Sequence, residues 1–322
     1  MRYLPHLIIL IAACAAPFFA YPVLLTQVLC FALFASAFNL LFGFAGMLSF
    51  GHAAFFGSGA YVAALLMTRA AASPLLALSG ALAAGALVGA AVGGLAIRRR
   101  GVYLAMITLA LAEVVYFVAL QAPATGGEDG IQGVPSGRLL GLIDLENPLA
   151  MYFFVLTLFL LAMGAIHRAL HSPFGQVLRA IRENEQRALS LGYRIERYKL
   201  LAFVLSGALS GLAGGAKTLA FHFAALSDVD WHNSGAAILM TLLGGAGTFW
   251  GPSLGALLVV VMSDALAPLG EWVNFIQGAV FVACVLLFRR GILGELAAFA
   301  ARRRGAPARR MARAAAAAGE DD

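Results

Sequence analysis

The sequence predicts an all-α, polytopic membrane protein with about 8–10 transmembrane helices and both termini in the cytoplasm. Hydrophobic residues make up 61% of the 322 residues and charged residues only 12%, whereas soluble domains are roughly half apolar and a quarter charged. The apolar residues fall in long runs, and about 20 apolar residues suffice to cross a bilayer as a helix. The 36 glycines also fit this class, because small residues let membrane helices approach closely.

The candidate spans are ten apolar runs, and the short runs could be broken or re-entrant helices. They are residues 7–20, 26–43, 48–68, 75–97, 102–121, 149–168, 200–224, 235–247, 252–269 and 274–288. The first run follows Arg2 and resembles a signal peptide. No typical cleavage site stands out after it, so we expect it to be a span.

The distribution of basic residues supports these spans and predicts their orientation. Cytoplasmic loops of membrane proteins carry the excess of Lys and Arg. An even number of spans with the N-terminus inside places 19 of the 22 basic residues in the cytoplasm, and it places the acidic loops 122–148 and 225–234 outside. The surplus positive charge is therefore an orientation signal, and we expect no nucleic-acid partner.

Composition also divides the chain into two parts. Residues 1–291 form the predicted transmembrane domain, and residues 292–322 form a basic tail rich in Ala and Arg. We expect such a tail to be disordered, and its charge suits contact with anionic membrane lipid.

A polar segment, residues 169–199, separates two apolar runs and has the features of a capped helix. Ser172 is a favourable N-cap and Pro173 suits the first helical position. Gly192 suits a left-handed C-terminus. Because loops between spans are usually short, a helix here favours docking to a soluble partner. Packing on the lipid surface is the alternative.

Within this predicted helix the apolar residues recur at helical spacing and form one narrow stripe. The stripe consists of Leu178, Ile181, Ala188 and Leu189. Glu183 and Arg187 are four residues apart in the order that favours an ion pair, and Gly175 suggests a bend. The residues that we assign to coupling with a partner are Ser172, Pro173, Gly175, Arg179, Arg182, Glu183, Glu185, Ala188 and Gly192.

Several motifs, in one order along the chain, carry a resemblance to a known family. They are residues 39–52 (NLLFGFAGMLSFGH), 125–130 (TGGEDG), 172–192, 197–199 (RYK) and 244–252 (GGAGTFWGP). Together they resemble the branched-chain amino acid ABC permeases of the LivM type. The spacing of Ala188 and Gly192 is also similar to that in the cytoplasmic coupling loop of ABC importer permeases, which fits a groove on the ATPase subunit.

The resemblance implies a permease subunit of an importer in the bacterial inner membrane. The partners it implies are a second permease subunit of the LivH type, two ATP-binding subunits of the LivG and LivF types, and a periplasmic substrate-binding protein. The usual substrates of the family are leucine, isoleucine and valine, and relatives carry other small polar solutes.

No motif predicts catalysis, a cofactor or a metal site. Residues 211–218 only partly match a phosphate-binding loop, because Ala216 occupies the place of a required glycine. His167 and His171 are four residues apart but lack the glutamate of a zinc-protease helix. We therefore expect that the chain is not an enzyme and that separate subunits hydrolyse the ATP.

The candidate translocation path combines glycine clusters with polar groups at membrane depth. Its residues are Asn39, Gly43, Gly46, Ser49, His52, Glu113, Lys217, Gly247 and Asp264. The glycines indicate either close helix packing or a break in each of two helices. Ionisable groups at this depth need a partner or water. We therefore expect Lys217 to form an ion pair with Glu113 or Asp264. The alternative is that one of these groups faces the path.

The outer loop offers a candidate contact for a binding protein. Gly126, Gly127, Glu128 and Asp129 form a turn-rich, acidic stretch, and a plain exposed loop is the alternative interpretation.

Two other functions stay open at this point. A secondary transporter that works without ATP would need a coupling-ion site around Glu113 or Asp264, and a membrane enzyme would need a catalytic cluster that the sequence does not display.

Overall fold

A computed structural model describes residues 13–18, 20–139, 141, 143–270, 272–287 and 291–295. Half of the first predicted span, residues 7–20, and nearly all of the predicted tail, residues 292–322, lie outside the described residues. The expectations for those two segments therefore stay predictions.

The described chain is almost entirely helical. In chain order the helices are α1 Pro22–Asn39, α2 His52–Arg69, α3 Pro74–Ala96, α4 Val102–Gln121, α5 Pro148–Leu170, α6 Pro173–Glu183, α7 Glu185–Ser190, α8 Ile195–Phe221, α9 Trp231–Gly244, α10 Gly251–Leu266 and α11 Trp272–Leu287. A π-helical turn, Leu40–Phe44, extends α1, and short 3₁₀ turns lie at Ala16–Phe18, Gly127–Asp129, Leu226–Asp228 and Ala267–Leu269. The predicted all-α class is confirmed.

Six helical segments among the described residues are long and apolar enough to cross a membrane. They are Pro22–Phe44, Pro74–Ala96, Val102–Gln121, Pro148–Leu170, Ile195–Phe221 and Gly251–Leu269, and each overlaps a predicted span. Proline is the first residue of three of them, where its missing N–H costs no helical hydrogen bond. The chain is therefore a multi-pass membrane protein, and its orientation stays a prediction.

Glycines bring α2, α3 and α8 together at backbone contact. In α3, a Cβ on Gly85 would overlap the carbonyl oxygen of Gly207, and a Cβ on Gly89 would lie 2.8 Å from that of Phe203. In α2, a Cβ on Gly59 would overlap the carbonyl oxygen of Gly211. Such contacts are the way in which small residues drive helix association in lipid, so the predicted role of glycine in packing is confirmed for these helices.

Large apolar side chains fill the centre of the helix bundle, around α1. Phe34 of α1 and Phe56 of α2 are fully buried, with ring centroids 4.7 Å apart. By contrast, α4 exposes several large apolar side chains, including Met106, Phe117 and Val118. Exposed apolar surface of this kind suits lipid or a neighbouring membrane subunit.

Two short antiparallel strand pairs involve the loop between α4 and α5. Strand β1, Ile131–Gln132, pairs with β4, Phe223–Ala224, directly after α8. Strands β2, Arg138–Leu139, and β3, Ile143–Asp144, pair with each other. The β1–β4 pair ties the loop before α5 to the end of α8, so the loop is an organised structure.

Candidate functional site

The polar segment 169–199, termed the coupling segment below, contains two helices before α8 rather than the single predicted one. Helix α6 ends at Glu183, and α7 begins at Glu185. Asn184 between them has an extended backbone, and its Oδ1 accepts a hydrogen bond from the Arg187 N–H at 3.0 Å. The prediction of one continuous helix was wrong because the Asn184 side chain caps a new helix.

The predicted ends of the segment are mostly confirmed. Ser172 occupies the N-cap position and Pro173 the first helical position, but the Ser172 hydroxyl donates to the Ala169 carbonyl at 2.7 Å instead of capping α6. Gly192 is left-handed with a φ of +83°, as a helix C-terminus requires. The suggested bend at Gly175 was wrong. This glycine lies within α6, where a Cβ would overlap the backbone of Leu170 at the end of α5.

The break at Asn184 also changes which residues face solvent. Leu178, Ile181 and Ala188 are buried as the stripe predicted, whereas Leu189 is 55% exposed and Leu191 is 68% exposed. Helical spacing does not continue through the extended residue, so Leu189 does not join the stripe. The predicted Glu183–Arg187 ion pair is absent among the described residues for the same reason. The result is an exposed apolar pair beside Gly192.

Glu185 holds the coupling segment against two other elements. Its Oε1 lies 2.6 Å from Lys199 Nζ at the start of α8, and its Oε2 lies 3.0 Å from Arg100 Nε in the turn before α4. The Lys199 side chain is only 6% exposed. Glu185 is therefore an internal anchor, a role that its position in a predicted exposed helix did not suggest.

The two glycine clusters meet, and the Asn39 side chain joins them. Asn39 Nδ2 donates to the Thr248 carbonyl and its Oδ1 accepts from the Gly247 N–H, each at 2.9 Å. A Cβ on Gly43 would lie 2.5 Å from Gly247 N. Helix α1 gives way at this contact to a π-helical turn that contains Gly43, and the chain between α9 and α10 is non-helical around Gly247. Both predicted interpretations hold here, because the helices break and also pack closely.

Arg182 connects the coupling segment to this junction of glycine clusters. Its Nη1 donates a hydrogen bond to the Gly43 carbonyl. A Cβ on Gly46 would lie 2.8 Å from Arg182 Cγ, and a Cβ on Gly247 would lie 3.2 Å from Arg182 Nη1. Both glycines have positive φ, +73° and +77°. Arg179 lies nearby, with its guanidinium carbon 5.9 Å from the centroid of the Phe44 ring.

His52 and Ser49 lie in the packed interior. The His52 ring is fully buried, stands edge-on to Phe38, and its Nε2 lies 2.8 Å from Ser206 Oγ. Ser206 Oγ donates its one proton to the Ala37 carbonyl at 2.6 Å, so His52 Nε2 is the donor to Ser206. Ser49 is also fully buried. The contacts of His52 make this side chain a part of the helix packing.

The expected partner of Lys217 was wrong. Lys217 Nζ lies 2.9 Å from Asp228 Oδ2 and 3.7 Å from the centroid of the Phe223 ring. The chain after α8 folds back over the helix end and brings Asp228 to a lysine only eleven residues earlier. Glu113 is half-buried and Asp264 is exposed, and neither has an ion pair in the part of the chain that the structure describes.

The candidate contact for a binding protein is an exposed turn. Gly126 and Gly127 have positive φ, +79° and +61°, and lead into the 3₁₀ turn Gly127–Asp129. The Glu128 and Asp129 side chains are exposed, so the turn presents two carboxylates to solvent.

The two histidines at the end of α5 pack against each other. The rings of His167 and His171 stack with centroids 4.0 Å apart, and His171 Nδ1 lies 2.8 Å from the His167 carbonyl. Within the described residues, no group of three His, Cys, Asp or Glu side chains is arranged to hold a metal ion.

Comparisons with known proteins give a consistent result. Residues 22–285 match the family described as "Branched-chain amino acid transport system / permease component". The high-affinity branched-chain amino acid transport system permease protein LivM of Escherichia coli is 29% identical, and that of Salmonella typhimurium is 30% identical. Each match covers 79% of this chain and 65% of the relative, so the chain spans about two thirds of their length.

A more distant similarity covers less of the chain. The ribose import permease protein RbsC of Bacillus subtilis is 29% identical over 51% of this chain and 51% of its own length. No solved structure matches the chain.

Proposed function

Because the chain belongs to the family of branched-chain amino acid transport permease components, we propose that it is the membrane-spanning permease subunit of an ABC importer. The observation that carries this proposal is the coupling segment. It presents Leu189 and Leu191 to solvent beside the left-handed Gly192, and it contacts the broken helices through Arg182.

The exposed leucines are the proposed docking point for an ATP-binding subunit. Leucine side chains that remain in water forgo about 1.5–3 kcal/mol each relative to burial. Because Leu189 is 55% exposed and Leu191 is 68% exposed, a groove on a partner that covers them recovers about half to two thirds of this free energy. The neighbouring Ala188 is buried in the permease, so α7 has one side on the membrane domain and one side free.

The proposed transmission of movement runs through Arg182 and Glu185. A shift of α6 and α7, driven by closure of the ATP-binding subunits, would move Arg182 against Gly43 and Gly247. Breaks in packed helices can switch between discrete arrangements more readily than continuous helices. The predicted path residues near this junction, Asn39 and Gly46, would move with it.

The proposed substrates are leucine, isoleucine and valine or related small polar solutes. The LivM relatives, which are named for branched-chain amino acid transport, cover 79% of this chain, whereas the ribose permease covers 51%. The proposed partners are a second permease of the LivH type, ATP-binding subunits of the LivG and LivF types, and a periplasmic binding protein at Gly126–Asp129. The proposed location is the bacterial inner membrane.

Loss of the apolar pair tests the docking claim directly. We expect Leu189→Ser together with Leu191→Ser to abolish co-purification with the ATP-binding subunits, while the permease still folds and inserts. The matched control is Ile143→Ser in β3, which removes a side chain of similar exposure, 50%, from the outer loop. Equal complex formation by the double variant and the control would overturn the docking surface.

One observation keeps a second candidate function in view. Glu113 is a half-buried carboxylate without an ion pair among the described residues, which is the feature that an ATP-independent transporter would need for a coupling ion. Glu113→Gln discriminates between the two candidates. If the chain is a secondary transporter, this variant should abolish uptake driven by an ion gradient. If the chain is a subunit of an importer, uptake should require ATP both with and without the substitution.

A further inference from the structure

A cavity of about 520 Å³ lies beside the coupling segment, where three parts of the chain meet. The non-helical stretch after Gly46 forms one side, the turn before α4 forms the second, and α6 to α8 form the third. The cavity shares Arg182 and Glu185 with the coupling machinery but is separate from the exposed leucines.

The lining of this cavity is strongly basic. Arg99, Arg100, Arg182 and Lys199 line it against a single carboxylate, Glu185, so four cations and one anion leave a formal charge of +3. Lys199 and Arg100 share Glu185, and Arg182 donates to Gly43. Arg99 has no ion pair among the described residues, and the Arg100 side chain stays 58% exposed. The cavity therefore holds positive charge that the chain itself leaves uncompensated.

The start of α4 adds hydrogen-bond donors to the same wall. Gly101 is its N-cap and supplies no capping side chain, and the first N–H groups of a helix have no partner within it. Val102 and Leu104 of this first turn line the cavity. Unpaired N–H groups and the helix dipole together favour a bound anion, phosphate in particular.

The remaining lining is apolar and continues toward the membrane. Leu48 and Phe50 are half-buried, and Val102 is 74% exposed at the start of a membrane-spanning helix. A soluble anion makes no apolar contacts with these side chains, whereas a phospholipid places its phosphate on the basic side of the cavity and its acyl chains on the apolar side. Basic pockets between membrane helices bind anionic headgroups in this way.

We propose that this cavity binds the phosphate of an anionic phospholipid, with Arg99, Arg100 and the first turn of α4 as the headgroup site. A bound headgroup contacts the same cluster that anchors Glu185. Lipid composition then sets how firmly the coupling segment is held against the membrane domain.

Native mass spectrometry of the full chain in detergent, with added phosphatidylglycerol or phosphatidylcholine, tests the site. We expect preferential retention of phosphatidylglycerol. Arg99→Gln together with Arg100→Gln should weaken that binding about 25-fold, at roughly fivefold for each arginine near a headgroup. The control, Arg194→Gln together with Arg197→Gln, removes two exposed arginines of the coupling segment that do not line the cavity, and it should change binding less than about fivefold.

A second variant leaves the ion pairs of Glu185 intact. Val102→Glu places a carboxylate at the mouth of the cavity and should reduce phosphatidylglycerol binding, whereas Val102→Gln should not. Equal binding of the two lipids, or equal loss in the cavity variant and the control, would overturn the proposal. Displacement of phosphatidylglycerol by millimolar inorganic phosphate would instead assign the site to a soluble anion. Lost binding of an ATP-binding subunit with unchanged lipid preference would assign the arginines to the partner protein.

Discussion

Replacing Arg182 by methionine tests the link between the coupling segment and the glycine junction. Methionine keeps most of the apolar stem that covers Gly46 but removes the hydrogen bond to the Gly43 carbonyl. Hydrogen bonds from charged donors contribute about 1.5–3 kcal/mol, and about 1.4 kcal/mol corresponds to a factor of ten. The bond can therefore carry at most a roughly tenfold to hundredfold effect.

The assay separates coupling from docking. We expect the Arg182→Met permease to bind the ATP-binding subunits normally, because Leu189 and Leu191 are unchanged, and to lose about tenfold to hundredfold in substrate transported per ATP hydrolysed. Arg187→Met is the matched control, since its exposed side chain makes no ion pair among the described residues. Transport by Arg182→Met that equals the control would refute the transmission route through the glycine junction.

Three further predictions concern close packing and buried ion pairs in the chain. Gly43→Ala should destabilise the protein by about 1–3 kcal/mol in thermal unfolding, because the added Cβ has no space. The control is Gly94→Ala, whose Cβ would face open space. It should leave the stability unchanged or raise it by up to about 1 kcal/mol. Lys217→Met should lower the free energy of unfolding by about 3–5 kcal/mol, because it leaves Asp228 buried without its ion pair. The double variant that also carries Asp228→Leu should recover most of this loss in thermal unfolding. Glu185→Gln should release the coupling segment from its two cations, seen as faster amide hydrogen exchange in α7; unchanged exchange would argue against its anchoring role.

Much of the helical fold could be predicted from the sequence because membrane spans are a local property. The predicted span 102–121 coincides with α4, Val102–Gln121, and the predicted 75–97 differs from α3, Pro74–Ala96, by one residue at each end. Continuous apolar runs with proline or glycine at their ends fix such boundaries. The glycine pattern also indicated close packing, although not which helices would meet.

The contacts of the candidate site could be predicted only in part. Arg182 and Gly43 are 139 residues apart, and no pattern in the sequence pairs them. Lys217 and Asp228 are close in sequence, but their pairing depends on a reversal of the chain that an apolar run does not reveal. Asn184 is a different case, since asparagine is a known cap, and its position within a polar helix was a signal for the observed break.

Uptake by reconstituted vesicles tests the central proposal most directly. The full chain is reconstituted with its second permease, with and without the ATP-binding subunits, and uptake of radiolabelled leucine is measured with the binding protein present. We predict uptake only when the ATP-binding subunits and ATP are both supplied, and its loss in the Leu189→Ser, Leu191→Ser permease. Vigorous uptake by the chain alone, without nucleotide, would contradict the proposal.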